Sequence, residues 1–462
     1  MSETSPPAGA HEGSETSGET SGETSGNAQR FVWSNALQNV GDNITAAKSV
    51  LPWILAAAGT PALFSALLVP IRESGSMLPQ APLAPWVMSK PYRRNIWVVG
   101  SLIQAASAAG IAAATLLLRG SALGFAVVVL LATLSLGRAA CSITGKDMQA
   151  RIKKKGSRGK LQGVATSLGG VVSIAVGVCL VFVGEHAPPW ILALLIFCSA
   201  LAWVLAAWVF SGIKEPVPPQ ETKQETNASF QARGEWLREC FRMVREDARF
   251  RRFVIVRSLL LVTALSSAFL VTLAAEHTEG SAEFGTNFGS VGAFLALQGA
   301  AGFLAGRVSG ALADRSAKAV MAAGSLAASL VLLVVASAAL LAPQHLLSWL
   351  IPTAYFLILL IHAGIRVARK TYVVDMATGD QRTKYVANAN TLMGLVLLGT
   401  GAITAVLSLA GSVVAIVFLA LLGIAGAVAA RGMVDVSEKR SYAGKVASAG
   451  REDVAHSGER DQ

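Results

Sequence analysis

Apolar runs of hydrocarbon length constrain this chain more than anything else in it: a dozen such stretches recur between residues 49 and 430, parted by short polar connections. A bilayer core is roughly 30 Å thick, and a helix rising about 1.5 Å per residue crosses it in about twenty residues. Inside lipid no water satisfies a free backbone N–H or C=O, so runs of this length must be helices that close their own hydrogen bonds. With 53% hydrophobic and 15% charged residues over 462 positions, there is too little polar surface for a soluble protein, and the expected fold class is an all-α membrane protein.

The spans read as 49–71, 73–89, 95–117, 121–143, 161–184, 189–212, 253–275, 289–309, 319–342, 346–368, 385–409 and 411–430. Lys and Arg sort across them. Of 39 such residues, 34 fall on one side, in the tails and alternate connections and, for Arg366, at the adjoining end of its span, and only Arg72 and Arg119 fall in the connections of the other side. By the positive-inside rule both termini are then cytoplasmic. The net charge of +11 reports this orientation, and nucleic acid drops out as a partner. The first thirty residues lack the pattern of a cleaved signal peptide and are expected to stay on the mature chain.

The twelve spans also divide into two sixes. Arg138 precedes Asp147 by nine residues and Arg366 precedes Asp375 by nine, at an offset of 228. Lys160, Leu168 and Gly170 are echoed by Lys384, Leu392 and Gly394. The expected organisation is two pseudo-symmetric six-helix bundles, 46–212 and 253–432, with a cytoplasmic linker at 213–252. In the linker Trp236, Leu237, Cys240, Phe241 and Val244 recur at helical spacing beside Arg238, Arg242, Arg245 and Arg249, the pattern of an amphipathic surface helix. Residues 1–45, with a repeated Thr-Ser-Gly-Glu unit, read as a disordered tail passing into an interfacial lead-in, and 433–462 as a second disordered tail.

At the end of the eighth span stand Gly310, Ala311, Leu312, Ala313, Asp314, Arg315, Ser316, Ala317 and Lys318. This stretch resembles the loop signature of the major facilitator superfamily, Gly-x-Leu-Ala-Asp-Arg-x-Gly-Arg-Lys. In the corresponding loop of the first half Ser89 stands where the family has Asp, while Lys90, Arg93 and Arg94 keep the basic residues. Leu134 and Arg138 match part of the Leu-x-x-x-Arg-x-x-x-Gly pattern of the family's drug–proton antiporters, with Ser142 in the Gly position. The resemblance covers roughly 46 to 432. It implies two six-helix bundles around a central cavity lined by helices 1, 4, 7 and 10, opening alternately to either side.

Ionisable and amide groups within spans mark the candidate site, since a charge at membrane depth is costly and is kept facing water or a partner. Arg138, His362, Arg366, Gln298, Asn388 and Asn390 are the cavity and coupling candidates. Gly310, Asp314, Arg315, Asp147, Asp375, Ser89 and Arg93 form a candidate cytoplasmic gate, and Arg72 with Glu73, directly after the first span, a candidate outer gate. For each the alternative is structural: an arginine reaching the headgroups, a satisfied core histidine, an ordinary loop. The four cysteines have no metal-binding spacing, and neither metal nor cofactor is expected.

The function read from these features is secondary transport of a small organic solute, with protons as coupling ion, by a monomer in the inner membrane of a prokaryote. A transporter-fold sensor or scaffold stays open as an alternative. A membrane enzyme acting on lipid is disfavoured, because within the spans only His362 offers acid–base chemistry and no nucleophile or metal set accompanies it.

Overall fold

The computed structural model describes residues 15–80, 83, 86–87, 90, 92–152, 158–183, 190–215, 235–276, 288–376 and 381–434. The first half holds α1 (Glu15–Ile44), α2 (Val50–Ala57), α3 (Ala62–Met77), α4 (Arg94–Leu117), α5 (Gly120–Ile152), α6 (Arg158–Val183) and α7 (Trp190–Ser211). After α8 (Glu235–Glu246), the second half holds α9 (Ala248–Leu259), α10 (Val262–Glu276), α11 (Phe288–Arg315), α12 (Ala317–Leu341), α13 (Gln344–Met376), α14 (Gln381–Ser408) and α15 (Ser412–Arg431). Counting α1 with α2 and α9 with α10 as broken crossings, these make twelve, six to each half. Eight are long and apolar enough throughout to cross a membrane, among the described residues.

Large apolar side chains cover the outside. Leu117, Trp208, Leu341 and Trp349 are all more than two-thirds exposed. On a soluble protein such a surface would aggregate; against acyl chains it is at rest. The interior is built from Leu, Ile, Val and Ala, with Ser and Thr hydroxyls turned to their own helix carbonyls, as Ser135 Oγ to Leu131 O at 2.7 Å. This satisfies the hydroxyl without water.

The beginning of the chain departs from the sequence reading. Residues 31–48 are not an interfacial lead-in, because α1 enters the first bundle with Phe31, Ala36 and Gln38 all buried and packs on α6 and α7. The first crossing is α1 plus α2, and Gly59–Thr60–Pro61 is the turn that ends it rather than a kink within it. Gly59 there has φ +65°, a left-handed conformation that glycine adopts without strain. The first two spans are therefore displaced from 49–71 and 73–89, and Arg72 and Glu73 lie inside α3 rather than in a connection. The cause is that a hydropathy reading counts every polar residue as wet. Ser34, Gln38, Asn39, Asp42 and Asn43 lower the apolarity of α1, yet Ser34 and Gln38 are fully enclosed by protein.

At the start of the second half Asp247 caps α9, its carboxylate accepting from the Arg249 and Phe250 amides at 2.8 and 3.0 Å. That cap places the helix start at Ala248, five residues ahead of the expected span. The halves meet along two seams, α6 against α11 and α3 against α14, with α2 and α10 packed between them at one end. Small residues let backbones touch there. A Cβ on Gly177 would lie 2.5 Å from the Ala296 nitrogen, and one on Gly292 2.5 Å from the Gly177 oxygen.

Candidate functional site

Between the seams, where α1 gives way to α2, the structure gathers a layer of charge. Asp42, at the end of α1, takes Arg72 of α3 at 2.5 Å and Arg138 of α5 at 2.9 Å, joining three helices of the first half. Beside it Lys48, in the break itself, pairs with Glu73 of α3 at 3.4 Å. From the second half α13 contributes His362, Arg366 and Arg369, and the two arginines lie within electrostatic reach of both Lys48 and Glu73. His362 is buried, its Nδ1 3.1 Å from the Thr263 hydroxyl of α10. Arg257 of α9 donates to Asn390 Oδ1 of α14 at 2.9 Å and feels the Arg369 charge.

Gln298 of α11 ties the layer to the broken helix. Breaking a helix strands carbonyls, and Gln298 Nε2 donates to one of them, Asn43 O, at 3.2 Å. Its Oε1 accepts from the Ser49 hydroxyl at 3.1 Å and from the Tyr355 hydroxyl at 3.2 Å. One amide thus links α11, α13 and both sides of the break across the two halves. Next to it the aromatic rings close ranks: Trp53 of α2 and Phe294 of α11 have centroids 6.5 Å apart, and Phe294 meets Tyr355 of α13 edge-on at 5.0 Å. At that end Val50, Leu51 and Leu55 of α2 and Val262, Leu265 and Phe269 of α10 are buried, so the layer is sealed there. Arg366, one helical turn beyond His362, is exposed.

Of the residues singled out from the sequence, Arg138, Arg366, His362, Gln298 and Asn390 come to this layer. Asn388 does not. It faces the surface helix α8, where Cys240 Sγ donates to Asn388 Oδ1 at 3.2 Å. Arg72 and Glu73, placed from the sequence at an outer gate, are members of the layer instead, because α3 carries them inward. Arg93 and Asp147 form an ion pair near the start of α4. The amides of Arg93 and Arg94 both donate to Glu215 Oε2 beyond α7, at 2.9 and 3.0 Å. Ser89 and the side chains of Asp314, Arg315 and Asp375 lie outside the described residues, as does the surrounding of Gly310. The reading missed Asp42, Lys48, Thr263, Tyr355 and Arg369. For Asp42 and Lys48 the available signal was a carboxylate and an amine spaced within a polar segment that directly precedes an apolar run.

Comparisons with known proteins agree with this architecture. A family model described as Major Facilitator Superfamily matches residues 40–392. No curated protein matches the sequence. Among solved structures, a D-xylose–proton symporter superposes with TM-score 0.64 at 12% identity, covering 89% of this chain and 98% of its own. A POT family transporter in complex with a thioalcohol-conjugated peptide gives TM-score 0.64 at 9% identity, over 87% and 94%. A mutant of the nucleoside transporter NupG gives 0.62 at 10% identity, over 88% and 99%. At such identities the likeness speaks for the fold, and the family match speaks for membership. The chain belongs to the Major Facilitator Superfamily, whose members are transporters rather than enzymes.

Proposed function

We propose that the protein is a secondary transporter that moves a small organic solute by alternating access, with protons as the coupling ion. It acts as a monomer in the cytoplasmic membrane of a prokaryote with both termini cytoplasmic, a placement supported by the sorting of Lys and Arg to one side of the spans. The observation that carries the reading is a charged layer closed at one end by Trp53, Phe294 and Tyr355 while Arg366 at its other end is exposed. A central layer shut off from one side and open to the other is one half of an alternating-access cycle. The small-residue contacts of Gly177 with Gly292 and Ala296 supply a seam along which one bundle can rock on the other.

The proton is assigned to Glu73. Asp42 is clamped by two guanidinium groups, whereas Glu73 is held by one amine at 3.4 Å. A proton on Glu73 removes the partner of Lys48 and frees that amine for the solute. The test is transport in proteoliposomes carrying an internal pH dye. The wild type is expected to exchange labelled solute in counterflow and to accumulate it when a pH gradient is imposed. Glu73→Gln keeps counterflow and loses accumulation. His362→Gln examines a second group able to carry a proton; if that substitution alone abolishes accumulation, the coupling site is His362 and the assignment to Glu73 is wrong.

A further inference from the structure

Among the described residues, the layer holds more positive charge than its carboxylates balance. Lys48, Arg72, Arg138, Arg257, Arg366 and Arg369 face Asp42 and Glu73 as the described acidic groups. Asp42 is already shared by Arg72 and Arg138, and Glu73 is taken by Lys48. Among the described residues no carboxylate lies within ion-pair distance of Arg257, Arg366 or Arg369. Arg257 donates to a neutral amide oxygen, and its Nε is buried without a hydrogen-bond partner.

While one end is open, water and counterions screen this excess. Closing that end expels them, and uncompensated cations in a dry, low-dielectric layer are strongly unfavourable. The empty protein is therefore penalised on closing, and a bound negative charge removes the penalty. Arg366 and Arg369 stand three residues apart on α13, so their planar donor groups serve neighbouring directions and suit the paired oxygens of a carboxylate or phosphate.

Resting on the transporter reading above, we infer that the solute is an organic anion, its charged group bridging Arg366 and Arg369 of the second half to Lys48 of the first. The anion takes Lys48 from Glu73, which is free to accept a proton as it loses that partner. Binding then draws the halves together from both sides, and the loaded layer closes where the empty one resists.

The experiment uses the full chain in a neutral detergent without added lipid. Thermal unfolding is followed against citrate, succinate and glycerol phosphate as anions, xylose and uridine as neutral solutes, spermidine as a cation, and phosphatidylglycerol in a separate arm. The expected result is stabilisation by at least one soluble anion and by none of the neutral or cationic probes. Arg366→Gln and Arg369→Gln should each weaken that response by about tenfold or more, while both unliganded variants still unfold in a single cooperative transition. Stabilisation by none of the soluble anions, by neutral or cationic probes instead, by phosphatidylglycerol alone, or by anions equally in both variants overturns the inference. Spin-label distances between the two halves keep the two claims apart. Opening and closing without anion binding overturns the anion class alone, whereas a single fixed distance under every probe and pH overturns the transporter reading.

Discussion

Asp42 is the residue on which the first half turns. Its carboxylate meets guanidinium groups from α3 and α5 at the depth where the first crossing breaks, so removing its charge leaves two partly buried cations facing each other. Asp42→Asn is expected to destabilise the protein by about 3 kcal/mol, the scale of breaking an enclosed ion pair from one side. A fall in apparent Tm in detergent reads this, and pairing it with Arg138→Gln should recover part of the loss because one stranded charge goes. Gln298 makes a different kind of contact, between neutral groups. Gln298→Leu keeps the volume but orphans the Asn43 carbonyl and takes their shared acceptor from the Ser49 and Tyr355 hydroxyls, at about 1–3 kcal/mol for the unmade bonds. Gln298→Glu, which restores an acceptor for Ser49 and Tyr355 but not a donor for Asn43, should fall between the two in the same measurement.

Among the elements, the α6–α11 seam sets how closely the halves can approach. Gly177 stands against the backbone of Ala296, and its substitution by valine forces the helices apart by about the width of a side chain. Gly177→Val is expected to abolish counterflow while expression and membrane insertion persist, and Gly177→Ala to slow it; equal transport by all three proteins would show that the seam does not move during the cycle. The surface helix α8 is fixed by a smaller contact. Cys240 is buried against Asn388 and Met243 is near the same amide, while Phe241, Arg242 and Arg245 look outward. An outward face of aromatic and arginine side chains fits a helix resting on headgroups.

At the scale of the whole molecule, rings from α2, α11 and α13 close one end of the charged layer, and Arg366 of α13 is exposed at the other. In a background without Cys141, Cys179, Cys198 and Cys240, Arg366→Cys should react with a charged thiol reagent from the face on which Arg366 is exposed and resist it from the opposite face. Trp53→Ala removes one of the three rings of the plug and should raise labelling from that opposite face. Labelling unaffected by the ring would mean that the closure is held elsewhere along α2 and α10.

Apolar run lengths determined that this chain is a helical membrane protein, because lipid offers the backbone no other partner, and the spacing of Arg138–Asp147 and Arg366–Asp375 showed its doubling. The motif at Gly310–Lys318 pointed to the family that the match over residues 40–392 then established. What only the tertiary structure decided is where the polar residues of the first crossing go. Asp42, Lys48 and Glu73 look in sequence like groups seeking water, and hydropathy places them in loops. In the folded protein each finds its opposite charge on another helix, so a segment too polar to cross lipid alone crosses it inside a bundle. A one-dimensional reading cannot see partners contributed by α3 and α5, and for that reason Asp42 and Lys48, outside the span boundaries, were missed while Arg138, Gln298, His362, Arg366 and Asn390 inside them were found.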